Sequence, residues 1–212
     1  MQKMLLAVLA LGALLMTPAA YSGTDIWIAY GSDYIWRGAS QNSGTGAASV
    51  GLEWSAENSG AYLGAWASQV DYDDDGASIE KDVYGGYVLP ITDEFSVDLG
   101  YIRYGYDEAI ESFEELYVKV NIGNLSTAYY QDIDTHANYA QVGWTLEFLP
   151  VMLGTFELVY AGTHKDETFT QLNWSYEPIT FPNLTILGIV GEDVFEGQTA
   201  DSINLELVYN FR

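Results

Sequence analysis

The chain contains no cysteine. That excludes a disulfide scaffold, a thiolate metal centre and a lipid-modified N-terminal cysteine. Basic side chains are scarce: 7 Lys and Arg stand against 30 Asp and Glu, a net charge of −23. Nucleic acid is excluded as a partner on this ground, because phosphate binding needs clustered Lys and Arg. Histidine is limited to His136 and His164. Beyond the first 22 residues, no segment is apolar for long enough to cross a bilayer as a helix. The richest stretch, 142–154, is broken by Glu147 and Pro150. If this chain crosses a membrane, it crosses as strands.

The N-terminus is different in kind. Lys3 precedes an apolar run from Met4 to Met16, followed by Thr17, Pro18, Ala19, Ala20, Tyr21 and Ser22. A basic start, a short apolar segment and a small-residue exit are the marks of a secretory signal peptide. Residues 1–22 are assigned to it, and residues 23–212 to one exported domain. Loss of Lys3 leaves 6 basic against 30 acidic side chains, a net charge of −24.

What remains alternates. From Ser202, one parity holds Ile203, Leu205, Leu207, Tyr209 and Phe211, and the other holds Ser202, Asn204, Glu206 and Asn210. Such period-2 alternation puts apolar side chains on one face and polar ones on the other. The same pattern marks Val50 to Ser55, Phe95 to Tyr101, Glu115 to Val120, Gln141 to Phe148, Phe156 to Tyr160 and Gln171 to Tyr176. A first strand is expected over 25–36, and others over 61–70, 79–89, 125–131 and 184–190. Their connections form two sets. One holds the Pro, Gly and Asn of tight turns, and the other is often longer and acidic. The fold class expected is all-β: a transmembrane antiparallel barrel of about 12 strands, with an apolar exterior and a polar lumen. Tyr and Trp are abundant, as at membrane interfaces. A soluble, half-buried sheet protein is the alternative.

Parity then selects the candidate pore-lining residues: Asp33, Arg37, Glu53, Asp82, Asp98, Glu115, Lys119, Glu147, Glu157 and Glu206. Asp33 and Arg37 share parity in the first strand, so they are expected to pair across it and either fix a constriction or brace a filled lumen. A water-filled lumen with this excess of carboxylates favours cations. A packed one pairs or neutralises them. Asp71, Asp73 and Asp75, followed by Gly76, match the start of a calcium loop, with Asp82 at the twelfth position. Calcium is therefore a candidate ligand, although the segment lies between strands and has Asp where Glu is usual. The two histidines are expected in solvated loops, and no local motif announces a catalytic pair.

Three stretches carry a resemblance. They are Ser32-Asp33-Tyr34-Ile35-Trp36-Arg37-Gly38, Gly60-Ala61-Tyr62-Leu63-Gly64-Ala65-Trp66-Ala67-Ser68, and Glu80-Lys81-Asp82-Val83-Tyr84-Gly85-Gly86-Tyr87. The set resembles the TorF-type family of bacterial outer-membrane porins, most specifically over the first third of the mature chain. Tyr209 and Phe211 resemble the terminal signal read by outer-membrane assembly machinery, with Arg212 one residue beyond the usual end. The resemblance implies a pore. Taken with the strand pattern and the acidic lumen, the expected function is a narrow passive channel for small, cationic solutes, in contact with outer-membrane lipid and lipopolysaccharide. A structural or adhesive barrel with a plugged lumen, and a barrel hydrolase using a loop histidine, are the competing readings.

Overall fold

The structure is a computed structural model describing residues 23–57, 59–71, 76–107, 110–146, 154–163, 168–181, 183–195 and 198–211. Residues 1–22, expected to be a signal peptide, and Asp73, Asp75, Glu147 and His164 lie outside the described residues. The strands are β1 (Gly23–Gly31), β2 (Ile35–Trp36), β3 (Ala39–Ser40), β4 (Ala47–Ser55), β5 (Ala61–Gln69), β6 (Ile79–Pro90) and β7 (Phe95–Tyr106). They continue as β8 (Phe113–Ile122), β9 (Leu125–Asp132), β10 (Asn138–Thr145), β11 (Thr155–Thr163), β12 (Thr168–Tyr176), β13 (Leu184–Phe195) and β14 (Gln198–Phe211).

Twelve of these close into one antiparallel barrel, in the order β1-β14-β13-β12-β11-β10-β9-β8-β7-β6-β5-β4. The seam joins β1 to β14, from Ile26 opposite Phe211 to Gly31 opposite Glu206. Closure leaves the barrel no sheet edge, so each of its twelve strands has two hydrogen-bonded neighbours.

Alternation sorts the side chains. Ile28, Leu52, Leu63, Leu99, Trp144, Leu158, Leu205 and Leu207 lie exposed on the outside. Trp27, Glu53, Tyr62, Asp82, Asp98, Glu115, Lys119, Gln171 and Asn204 lie buried within. An exterior of exposed Leu, Ile, Val and Trp around a polar interior is the surface of a barrel solvated by lipid.

Inward glycines let the interior pack. Trp27 stands opposite Gly51, Tyr84 opposite Gly64, and Tyr117 opposite Gly100. A Cβ on those glycines would meet the facing rings at 2.1, 2.2 and 2.2 Å, so each ring lies flat across a slot that only glycine leaves. The facing of β5 is set by Tyr62, Trp66 and Ser68 being buried inside.

Two boundaries differ from the sequence reading. The strand expected over 184–190 runs on to Phe195, and β13 and β14 stay paired as far as Phe195 opposite Gln198. The first strand ends at Gly31, not at 36, and the chain then turns into the barrel.

Candidate functional site

Segment 32–46 leaves the wall because the neighbouring strand captures it. The Ser32 amide donates to the Leu205 carbonyl at 2.9 Å, and the Asp33 amide donates to Asn204 Oδ1 at 3.1 Å. Inside the lumen it folds back on itself as the small hairpin β2–β3, with Trp36 opposite Ala39. Its two-residue turn is Arg37-Gly38, with φ of +49° and +87°. Two successive positive φ values are what a type I′ hairpin turn requires. Glycine is needed at 38, where a Cβ would meet Phe169 at 2.9 Å.

The turn delivers the Arg37 guanidinium to the far wall. Nη1 and Nη2 donate to the two oxygens of Glu115 at 2.8 and 2.7 Å, a bidentate fork. The guanidinium carbon sits 4.4 Å from the Trp36 ring centre, 4.8 Å from Tyr130 and 4.1 Å from Tyr139. Tyr104 donates its hydroxyl to Glu115 at 3.0 Å. Rings, fork and hydroxyl together satisfy a charge pair that would be costly if left half-made. Asp33 does not pair with Arg37, as parity in an unbroken strand implied. Once the strand stops at Gly31, Asp33 turns back on its own segment and accepts from Ser40 at 2.8 Å and from the Tyr34 amide at 2.7 Å.

The remaining candidates lie on the barrel wall. Lys119 Nζ is 3.8 Å from Asp98 and 4.4 Å from the Tyr117 ring centre. Tyr62 donates to Asp98, and its hydroxyl also meets that of Tyr117. Glu53 accepts from Tyr84 at 3.1 Å. Glu157 accepts from Ser126 at 2.9 Å and from Asn173 at 3.2 Å. Glu206 faces Asp33, Tyr34, Trp66 and Asn204 across a cavity of about 20 Å³, room for about one water molecule. Asp82 is buried on β6 between Trp66 of β5 and Tyr104 of β7.

Sequence reasoning passed over several interior groups. Glu80 is buried beside Asp82 with the same parity and accepts from Tyr34 at 3.5 Å. Its parity with Asp82 could have found it. Gln141, Gln171 and Ser202 are also buried inside, as is the apolar Val208. Of the calcium motif, Asp71 is exposed at a strand end while Asp82 is inside the barrel. Among the described residues, no three His, Asp or Glu side chains gather as a metal site. His136 sits in the β9–β10 turn with φ +59°, and its carbonyl accepts from Gln131. Tyr209 and Phe211 are exposed on the outer face of β14, ring centres 5.1 Å apart.

A family model described as "Bacterial protein of unknown function (Gcw_chp)" matches residues 17–205. The chain belongs to that family. No curated protein matches it. Among solved structures it is similar to a KdgM porin, with a TM-score of 0.63 and 13% identity over 89% of this chain and 99% of that one. A KdgM porin in complex with disordered oligogalacturonate gives a TM-score of 0.62 at 14% identity, over 90% and 100% of the two chains. The NanC porin gives 0.53 at 12% identity, over 90% and 100%. At these identities the likeness is one of fold, and it agrees with the closed twelve-stranded barrel.

Proposed function

We propose that the protein is an outer-membrane porin: a narrow passive channel for small solutes, with a preference for cations. One observation carries this reading. Inside a closed barrel, Asp33, Glu53, Glu80, Asp82, Asp98, Glu115, Glu157 and Glu206 face two cations, Arg37 and Lys119, each beside a carboxylate. Carboxylates in excess within low-dielectric walls attract positive solutes. The resemblance to TorF-type porins supports the channel itself. The similar porin bound to oligogalacturonate suggests a contrast in sign, since that ligand carries carboxylates and a lumen for it needs cations free to meet them. Lipopolysaccharide around the exposed belt, and assembly machinery reading Tyr209 and Phe211, are the partners this location implies.

The inward segment 32–46 narrows the path and favours a second reading, a structural barrel with a plugged lumen. Planar-bilayer recordings separate the two. The expected result is small unitary currents with reversal potentials on the cation side in a salt gradient. Asp98→Asn frees Lys119 and should lower the preference, and high salt should screen it. Arg37→Ala should release the hairpin, enlarge the current and raise the cation preference. A folded, inserted barrel that never conducts, in either form, establishes the plugged reading.

A further inference from the structure

The inward face of β6 holds two carboxylates two residues apart, Glu80 and Asp82, both almost fully buried. Positions i and i+2 of a strand point the same way about 7 Å apart. Among the described residues Glu80 has one polar contact, the Tyr34 hydroxyl at 3.5 Å. Neither oxygen of Asp82 has a hydrogen-bond partner among the described residues. Among the described residues the two cations inside the lumen are engaged elsewhere, Arg37 with Glu115 and Lys119 beside Asp98. Lys81, between the two acids, has the outward parity. A buried carboxylate with no cation beside it is strongly disfavoured, so two on one face call for a compensating charge.

The surroundings indicate its size and valence. Trp66 and Tyr104 flank Asp82 in register, one on each side. The inward segment sets a further ring edge-to-face against each: Tyr34 against Trp66 at 5.3 Å and Trp36 against Tyr104 at 5.8 Å. Ring faces hold a desolvated monovalent cation well. A calcium ion wants six to eight oxygen ligands, which two carboxylates and a phenol do not supply.

We infer that Glu80 and Asp82 form a binding site for a small monovalent cation, of alkali-metal or ammonium size, walled by Trp66 and Tyr104 and capped by Tyr34 of the inward segment. The inference rests on the lumen being an ion path and adds where in that path a cation halts. Tyr34 joins the site to the inward segment, so an ion leaving this pair on that side passes the Tyr34 hydroxyl.

Equilibrium dialysis of the folded barrel in detergent against rubidium chloride tests this, with ionic strength held by N-methylglucamine chloride. The expected result is one saturable rubidium site per barrel. Asp82→Asn and Glu80→Gln should each weaken it at least tenfold, and Glu94→Gln, on an exposed turn, should leave it unchanged. Heat-modifiable migration verifies folding, and the two near-isosteric amide variants serve as independent probes if one fails to fold. No saturable site in the wild type, or wild-type binding in a folded Asp82→Asn or Glu80→Gln barrel, overturns the inference and leaves a shared proton as the compensating charge. Conductance is read separately on the same samples. A barrel that conducts without the site sinks this inference alone, and one that binds rubidium without conducting sinks the channel reading alone.

Discussion

The two sides of the lumen are built from different chemistry. From β4 to β9 the interior is aromatic and ionic: Tyr62, Trp66, Tyr84, Tyr104 and Tyr117 interleave with Glu53, Glu80, Asp82, Asp98, Glu115 and Lys119. From β10 to β14 the polar interior groups are mostly amides and hydroxyls: Gln141, Gln171, Thr185, Ser202, Asn204 and Asn210, with Glu157 and Glu206 the buried or cavity-lining acids. The inward hairpin springs from β1, between the two sides. It places Trp36 and Arg37 against the ionic side and takes Asn204 of the amide side as its hinge. The difference separates two tasks. Charge-assisted bonds at the tip hold the hairpin across the bore, and neutral bonds at its root only start it inward.

That division predicts unequal costs. Arg37→Ala leaves Glu115 buried without its cation and should destabilise the barrel by about 3–5 kcal/mol. Gln171→Ala on the amide side removes one neutral hydrogen bond and should cost about 1–3 kcal/mol. Urea unfolding followed by tryptophan fluorescence compares them. Equal losses would break the distinction between the sides. Replacing both partners, Arg37→Met with Glu115→Leu, should recover much of the loss, because the penalty is the orphaned charge.

The outward faces, by contrast, should not differ. Leu99 on β7 and Leu205 on β14 are both exposed apolar residues in the interior of their strands. Arginine at either should cost about 2–4 kcal/mol near the midplane. The same unfolding assay reads this, and a cost confined to one side would mean that the barrel is not evenly surrounded by lipid.

Packing on the two inner sides differs in compliance. An alanine Cβ at Gly100 would meet the Tyr117 ring at 2.2 Å, and that ring is held by the contact of its hydroxyl with Tyr62. At Gly143 the obstacles are the tips of Glu157 and Ser126, at 2.3 and 2.4 Å. A bulky ring braced at its hydroxyl has little room to move, whereas the Glu157 carboxylate can turn about its flexible stem by straining its bonds from Ser126 and Asn173. Gly100→Ala should therefore cost about 1–3 kcal/mol and Gly143→Ala about 1 kcal/mol or less.

How much of this was legible follows the same line. Period-2 alternation identified the walls, because one strand slip would put Leu205 into the lumen and Asn204 into lipid. The acids at 53, 98, 115 and 157 followed from parity alone. The hairpin did not. Tyr34, Ile35 and Trp36 are good strand formers, so 25–36 reads as one strand. What ends it is Asn204, about 170 residues away, and no local pattern carries that contact. Arg37-Gly38 also lacks the Asn-Gly or Asp-Gly that usually announces such a turn. The Arg37–Glu115 pair was hidden for the same reason: it joins a turn the sequence concealed to a wall the sequence revealed.

The smallest expected effect lies at the rim of the ionic side, where the strands end. Asp107, just past β7, accepts from the Ser78 hydroxyl at 2.7 Å, the Ser78 amide at 2.9 Å and the Ile79 amide at 3.1 Å. These bonds, the Ser78 hydroxyl foremost, hold its carboxyl down to about 2 from the usual 3.8. A carboxyl lowered on folding lends stability that is present above its unfolded value and lost as pH falls through its folded one. The tie between the β5–β6 and β7–β8 connections should therefore hold at neutral pH and fade between about pH 4 and pH 2. Being fully exposed, it should move global stability very little. Carbon-detected NMR of the Asp107 carboxyl should show a midpoint near 2 in the folded barrel. In Ser78→Ala the two amide bonds remain, so the midpoint should rise only part of the way to the ordinary value. A wild-type midpoint at that ordinary value would mean that Asp107 does not tie this rim together, and that only the walls and the hairpin distinguish the ionic side.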